Sequence, residues 1–404
     1  MPDPEIGYAE ALERIRTRLR PLPPTNLPLD RCEGFRLAED VRARVDAPSV
    51  DTSMKDGYAL RAEDVSPGGK RAPRPLEIVG RIAAGDAPSR PLRPYTALRI
   101  LTGGALPPGA DTIVAEEFVR VADGYLEVTR PTEKGRNIRR RGSDTAAGEQ
   151  LLAAGQSLTP GAIGLLAAAG HAEARVHPKP RVAIIATGDE VLLPGQPLAA
   201  GKLYASNLMT INAWCRRFGM PAAMDVVGDR TEALAGRLER AIREQDAIVT
   251  SGGAWTGDKD LVAHALAELG WQPHFHRLRL GPGKAAGFGS LQAKPVFLLP
   301  GGPPSNLVAF LVLALPGLLR LGGCVQPGLP RINAKLAAPV AGTRHWTQAL
   351  FGDLEATDPG HLFHPHRRRG SRLKRMARAR ALLLIPEGRD GFAAGDIVTV
   401  HILR

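Results

Sequence analysis

Three short apolar runs, each breaking into a glycine turn, constrain this chain more than any other feature. They are 181–186 before Thr187-Gly188-Asp189-Glu190, 246–251 before Gly252-Gly253, and 295–300 before Gly301-Gly302. Each is long enough for a strand buried on both faces and too short for a helix. Helix-period patterns lie between them over 207–218, 231–245 and 259–269, and another follows over 305–321. Strands alternating with helices predict a parallel sheet covered on both faces. In such a sheet, ligands bind at the carboxyl ends of the strands. Glycines there let backbone N–H groups approach an anion, and helix N-termini add partial positive charge. The same turns carry Asp189, Glu190, Asp258 and Asp260, which suits a cation bridging phosphates.

The flanks have other periods. Tyr8, Leu12, Ile15 and Leu19 fall at helical spacing, so 7–20 predicts an amphipathic helix, ended by the Pro-rich stretch 21–28. Residues 30–45 predict a second short helix running into an extended segment. From 46 to 145 short apolar runs alternate with turn signals such as Pro107-Pro108-Gly109 and Ala122-Asp123-Gly124, which reads as an inserted β-rich domain. A small-residue helix is expected over 160–169 with Thr159 as its N-cap. Past Pro327 the pattern is β again, enough for a small barrel or sandwich. The expectation is a multidomain α/β plus β fold. Its parts are a helical and extended linking domain (1–45 and 146–178), the inserted domain (46–145), the α/β domain (179–326) and a C-terminal β domain (327–404).

Composition narrows the function classes. A length of 404 residues suits several domains, and at 5% aromatics the cores are aliphatic. Cys32, Cys215 and Cys324 are scattered with no CxxC spacing, which argues against a disulfide framework or zinc ribbon. The first residues hold no apolar signal core. The most apolar helical stretch, 307–315, is cut by Pro316 and too short to span a bilayer. A soluble cytoplasmic protein with no membrane contact is therefore expected. The net charge is +12, and residues 366–380 hold eight Arg or Lys and no acid. That patch suits an anionic ligand, an acidic partner or nucleic acid. No aromatics interleave with it, so base stacking is poorly supported and nucleic acid is disfavoured. His361, His364 and His366 surround Pro365 without nearby acids or cysteines, so they read as a loop and not as a metal site.

Five segments, in this order and spacing, carry a resemblance. They are 50–59 (Val-Asp-Thr-Ser-Met-Lys-Asp-Gly-Tyr-Ala), 99–111 (Arg-Ile-Leu-Thr-Gly-Gly-Ala-Leu-Pro-Pro-Gly-Ala-Asp), 137–144 (Asn-Ile-Arg-Arg-Arg-Gly-Ser-Asp), 186–190 and 251–253. Together they resemble the molybdopterin molybdenumtransferases, the MoeA-type family that includes the E domain of gephyrin. The resemblance covers nearly the whole chain. It implies an α/β/α molybdopterin-binding domain, a C-terminal β barrel, and a homodimer whose cleft joins the α/β domain of one subunit to the inserted domain of the other. It implies that molybdenum from molybdate is inserted into adenylylated molybdopterin with release of AMP, assisted by a divalent cation, Mg²⁺. A molybdoenzyme or another cofactor-biosynthesis protein is an implied partner. The alternative is a divergent, non-catalytic molybdopterin-binding or delivery protein.

Carried over by position, the resemblance implies chemical roles for Asp56, Asp144, Glu190 and Lys284. It implies cation binding by Glu190, Asp229 and Asp260. It implies substrate contacts by Thr102, Thr187, Gly188, Asp189, Ser251, Gly252, Gly253, Gly283, Pro300, Gly301, Ser305, Arg344 and Ser371. A hard cation held by carboxylates neutralises anhydride oxygens, and positive side chains hold the oxyanion. The oxyanion side departs from the family. Its Lys-Pro-Gly-Lys-Pro motif reads Gly281-Pro282-Gly283-Lys284-Ala285, and its Pro-Gly-Asn-Pro turn reads Pro300-Gly301-Gly302-Pro303. Ala205 stands where the family has Asp, Ala349 where a second arginine is expected, and Trp255 follows the Gly252-Gly253-Ala254 turn, where it either stacks on a pterin or covers a core edge.

Overall fold

A computed structural model of the chain describes residues 5–65, 74–87, 90–253, 261–366 and 371–404. The three sequence runs are neighbours in one sheet. Its strands lie in the order Ala222–Val227, Val182–Thr187, Ala247–Ser251, Lys294–Leu299, Gly287–Leu291, Gln272–His276. The first four are mutually parallel and the last two antiparallel. Val182–Thr187 comes first in sequence among the parallel strands but has a later strand on either side. Chain connections therefore leave it in both directions, which opens a crevice at its carboxyl end.

Period-two alternation divides the core. Val182, Ile184, Ala186, Ala247, Val249, Phe297 and Leu299 face one way, onto the helices Ser206–Arg217 and Pro303–Leu321. Ala183, Ile185, Ile248, Val296 and Leu298 face the other way, onto Thr231–Glu244 and Leu261–Glu268. Polar groups at the sheet's lower edge are paired. Arg181 grips Asp246 through two 3.1 Å contacts, and Lys294 Nζ donates to the carbonyls of Ile242 and Gln245 that end a helix.

Pro316 does not cut its helix. Pro303–Leu321 is a continuous 19-residue run, and Phe310–Ala314 within it is π-helical. Proline lacks the N–H that would bond the carbonyl of Val312, and its ring crowds that carbonyl. The wider turn relieves the crowding, with Leu315 N–H reaching back to Phe310. Tyr8 Oη from the N-terminal helix approaches the Val312 carbonyl at 3.4 Å. The run is long and apolar enough to cross a membrane, but 78% of its apolar window is buried inside the protein. Ile6, Ala11, Ile15 and Leu19 join that same core, so the amphipathic helix Tyr8–Arg18 packs on the α/β unit.

Leu29, Cys32, Leu37, Val41, Leu158, Leu166, Ala174 and Val176 form a separate core. The short helix expected within 30–45 is only a 3-10 turn, Leu29–Arg31, before two-residue strands at Arg36–Leu37 and Val41–Arg42. Thr159 caps Pro160–Ala168 as expected, its side chain accepting from Ala162 N–H at 3.2 Å. The inserted region is a β-sheet of Val119–Ala122, Tyr125–Val128, Leu76–Ile82, Thr96–Ile100, Gly57–Leu60 and Thr112–Ala115, in that spatial order.

The C-terminal strands close on themselves, because Thr347–Ala356 pairs with both His361–Pro365 and Ala381–Ile385. Arg331–Leu336 and Ile397–Ile402 complete the barrel. His361 and His364 lie in a strand of this barrel, His361–Pro365, and not in a loop, and His366 directly follows it. Acids from the neighbouring strand meet it, His364 with Glu355 at 2.8 Å and His366 with Asp353 at 2.9 Å. Leu278–Gly281 pairs in parallel with Thr347-Gln348 on one side and with Ile6-Gly7 on the other. The turn that follows Gly281 thus lies where the N-terminus, the α/β unit and the barrel meet.

Candidate functional site

A cavity of about 1180 Å³ opens at the crevice beside Thr187 and Ser251. Its walls include Thr187, Gly188, Glu190, Asp229, Ser251, Gly252, Gly253, Gly283, Lys284, Pro300, Gly301 and Ser305. Sequence reading had singled out each of these. They come from separate loops: the order of the parallel sheet gathers most of them, and the strand Leu278–Gly281, paired between the N-terminal strand and the barrel, brings in Gly283 and Lys284.

The glycines have no substitute here. Gly252 and Gly253 have φ of +96° and +64°. A Cβ on Gly253 would meet Val262 Cγ2 at 2.4 Å, and one on Gly252 would meet the Thr187 carbonyl at 2.9 Å. The two turns therefore nest against each other only without side chains. Above them, Ser251 Oγ lies within bonding distance of two side-chain amides, Asn207 at 3.1 Å and Asn306 at 3.0 Å. With both amides donating, its own proton is left for a third partner. The same amides bond the carbonyls of Gly301 at 2.8 Å and Pro300 at 2.9 Å, so they pin two loops to one hydroxyl. Neither Asn207 nor Asn306 was found by sequence reading, although each stands in the first turn of its helix. Thr187 Oγ1 is buried with no hydrogen-bond partner among the described residues. A buried hydroxyl without a partner is costly unless a ligand or water supplies one.

On the acidic side, two loops lock reciprocally. Asp229 N–H donates to Asp189 Oδ1 at 3.0 Å, and Asp189 N–H points at Asp229 Oδ2 at 3.4 Å. Asp189 is used in this lock and is not part of the cavity wall, whereas Glu190 and Asp229 are. Asp260 and Trp255 lie outside the described residues. Among those described, no group of three His, Cys, Asp or Glu is placed to hold a metal ion. Mg²⁺ often takes only one or two protein carboxylates together with substrate phosphates, so the Glu190 and Asp229 pair suits it.

Lys284 is the only cation among the described lining residues. Its Nζ lies 5.2 Å from the Trp346 ring centroid and 2.7 Å from Glu5 Oε1. Trp346 and Tyr204 are the aromatics among the described lining residues. Ala205 begins the helix Ser206–Arg217 without a side-chain cap, which follows from the missing Asp. A second cavity, about 480 Å³, shares Gly281, Pro282, Gly302 and Ser305 with the first and runs to His366, Arg372 and Arg375. Ala349 lines it.

Several expected residues are not brought to the main cavity. Arg344 lines a shallow pocket with Arg279, His345 and Glu387. The hydroxyl of Ser371 caps Arg372–Arg378, accepting from Lys374 N–H at 3.3 Å. Asp56, Thr102 and Asp144 belong to the inserted region and its stem. There Asp56 accepts from Thr102 N–H at 2.7 Å and from its hydroxyl at 2.8 Å. Those two bonds hold its carboxyl below the usual carboxylate range. Asp144 pairs with Arg139. Local hydrogen bonding explains why these acids sit where they do, away from the cavity of their own chain.

Residues 6–170 match the family model described as "MoeA N-terminal region (domain I and II)", and 183–320 match "Probable molybdopterin binding domain". The chain is 35% identical to molybdopterin molybdenumtransferase 2 of Mycobacterium tuberculosis over 96% of each chain. It is 33% identical to molybdopterin molybdenumtransferase of a Nostoc species, over 91% of this chain and 86% of that one. Its fold superimposes on the molybdopterin biosynthesis MoeA protein from Pyrococcus horikosii with a TM-score of 0.83, at 30% identity and 99% coverage of both. The 35% identity extends over nearly the whole of both chains, and all the described cavity-lining residues but Trp346 fall inside the matched molybdopterin-binding segment, so the chain belongs to the molybdopterin molybdenumtransferase family.

Proposed function

We propose that this chain inserts molybdenum from molybdate into adenylylated molybdopterin and releases AMP. The observation that carries the reading is the cavity itself: phosphate-type donors on one wall, two carboxylates and one lysine around them. Gly252 and Gly253 would let a substrate approach the backbone closely, while Thr187 Oγ1, without a partner among the described residues, and the proton of Ser251 Oγ are there to bond it. Glu190 and Asp229 would hold Mg²⁺ against the phosphoanhydride. When bound, that cation neutralises anhydride oxygens and makes AMP a better leaving group. Lys284 would hold the molybdate oxyanion beside the dithiolene, with the Trp346 ring centroid 5.2 Å from its ammonium.

The reading includes a homodimer and a cytoplasmic location. A second copy would bring its Asp56, Thr102 and Asp144 across the open side of the cavity. Support comes from large apolar side chains left exposed, Leu203 at 50% on the cavity's lining and Leu198 at 56% five residues before it in the chain, since exposed apolar surface marks association sites. A molybdoenzyme would receive the product.

The test is AMP release from adenylylated molybdopterin in the presence of molybdate and Mg²⁺, followed by chromatography. Asp229→Asn and Glu190→Gln should each lower the rate at least about tenfold, the effect of weakening one charge-assisted contact, with melting unchanged. Tight binding of the substrate by wild-type protein with no AMP released would replace this reading with that of a carrier.

A further inference from the structure

Lys284 does not face the cavity with its charge free. The strand Ile6-Gly7 pairs in parallel with Leu278-Arg279, and Ile6 is buried in the α/β core. The Glu5 carbonyl accepts from Arg279, Arg279 also bonds Glu387 at 3.0 Å, and Glu387 accepts from Tyr8 N–H at 3.1 Å. Backbone pairing and this network fix Glu5 from both sides. Its carboxylate then lies 2.7 Å from Lys284 Nζ, with 29% of the Glu5 side chain and 46% of the Lys284 side chain exposed. Arg279 is occupied by the Glu5 carbonyl and Glu387, so it leaves the Glu5 carboxylate to the lysine.

We infer that Glu5 is an internal competitor for the anion subsite, a specificity-determining residue that sets how strongly Lys284 attracts an oxyanion. An anion entering the cavity meets the carboxylates of Glu190 and Asp229 and an ammonium whose field a carboxylate already offsets. Attraction to a charge pair falls off much faster with distance than attraction to a lone charge. The oxyanion binds by displacing Glu5 from Lys284, and affinity is lowered by whatever that pair contributes. The pair is partly exposed, so its contribution is the modest one of surface ion pairs. The inference rests on the reading of Lys284 as the oxyanion ligand, but not on turnover.

Equilibrium binding of tungstate or molybdate alone to the full chain tests it, read by calorimetry at low and high salt. Glu5→Gln keeps the backbone pairing and should tighten anion binding about three- to fivefold, more at low salt than at high. Lys284→Ala should weaken binding, and adding Glu5→Gln to it should change nothing further. Affinity that is unchanged or weaker in Glu5→Gln, or binding undetectable in both proteins, overturns the inference. So does an equal gain in the Lys284→Ala background, which would make Glu5 a general repulsive charge. Failure of AMP release with tighter binding in Glu5→Gln would sink the transferase reading and leave this one standing. Normal AMP release with unchanged anion affinity would do the reverse.

Discussion

Two neighbouring hydroxyls in the cavity show how different a polar group is when it serves the fold and when it serves a ligand. Ser251 Oγ bonds Asn207 and Asn306, which in turn tie down two loop carbonyls. Ser251→Ala should therefore cost about 1–3 kcal/mol of stability, because two amides lose their acceptor and Asn306 is 1% exposed. Thr187 Oγ1 is buried without a partner among the described residues. Thr187→Val keeps the shape and removes an unsatisfied group, so the free protein should be as stable or more stable. Its affinity for molybdopterin should nonetheless fall about five- to tenfold, the loss of one hydrogen bond. Thermal melts with substrate titrations separate the two cases. Unchanged affinity in Thr187→Val would remove that hydroxyl from the site. Thr187, Ser251 and the glycines were legible in the sequence because they close obvious apolar runs. Asn207, Asn306, Trp346 and Glu5 were not, since the value of each comes from a partner tens to hundreds of residues away.

Among elements, the Pro303–Leu321 helix shows tertiary packing overriding a local rule. Pro316 ought to end it, but the run is enclosed by core side chains, and the π-helical turn Phe310–Ala314 absorbs the missing bond. The Tyr8 hydroxyl supplies a weak substitute at the Val312 carbonyl. Burial pushes the Tyr8 phenol up to about 12, above its ordinary value near 10. The folded protein keeps Tyr8 neutral where the unfolded chain ionises. Its contribution is therefore complete below pH ~10 and is lost as the pH rises towards ~12, by roughly 2–3 kcal/mol in all. Tyr8→Phe should be slightly less stable at neutral pH and should lose less stability between those limits. Urea unfolding of both proteins across that range checks it, and parallel curves would show that Tyr8 is not the group responsible. The expected loop at His361, His364 and His366 failed for a similar reason. Asp353 and Glu355 are close to them only across a strand pair.

At the scale of the whole molecule the cavity carries only part of the set of residues the family resemblance implies. Asp56 and Asp144 are held in the inserted region and its stem by Thr102 and Arg139, while Asp229 lines the cavity. If two copies share each site, Asp56→Asn and Asp229→Asn should each be inactive alone. Mixed in one preparation, they should regain about a quarter of wild-type activity, because half the dimers are mixed and each of those has one intact site. Refolding or co-expression followed by the AMP assay measures this. No recovery would mean that each chain supplies its own groups.

The parallel sheet, its glycine turns and the inserted β region could be argued from the chain itself, because they depend on periods and spacings within short segments, and the family followed from the resemblance of five segments in order. Only tertiary structure decided what those segments meet. It set Leu278–Gly281 between the N-terminal strand and the barrel, and so gave the cavity's one described lysine a carboxylate from residue 5. Hydrophobic periodicity records which face of an element is buried. It carries no information about which distant charge that burial brings alongside.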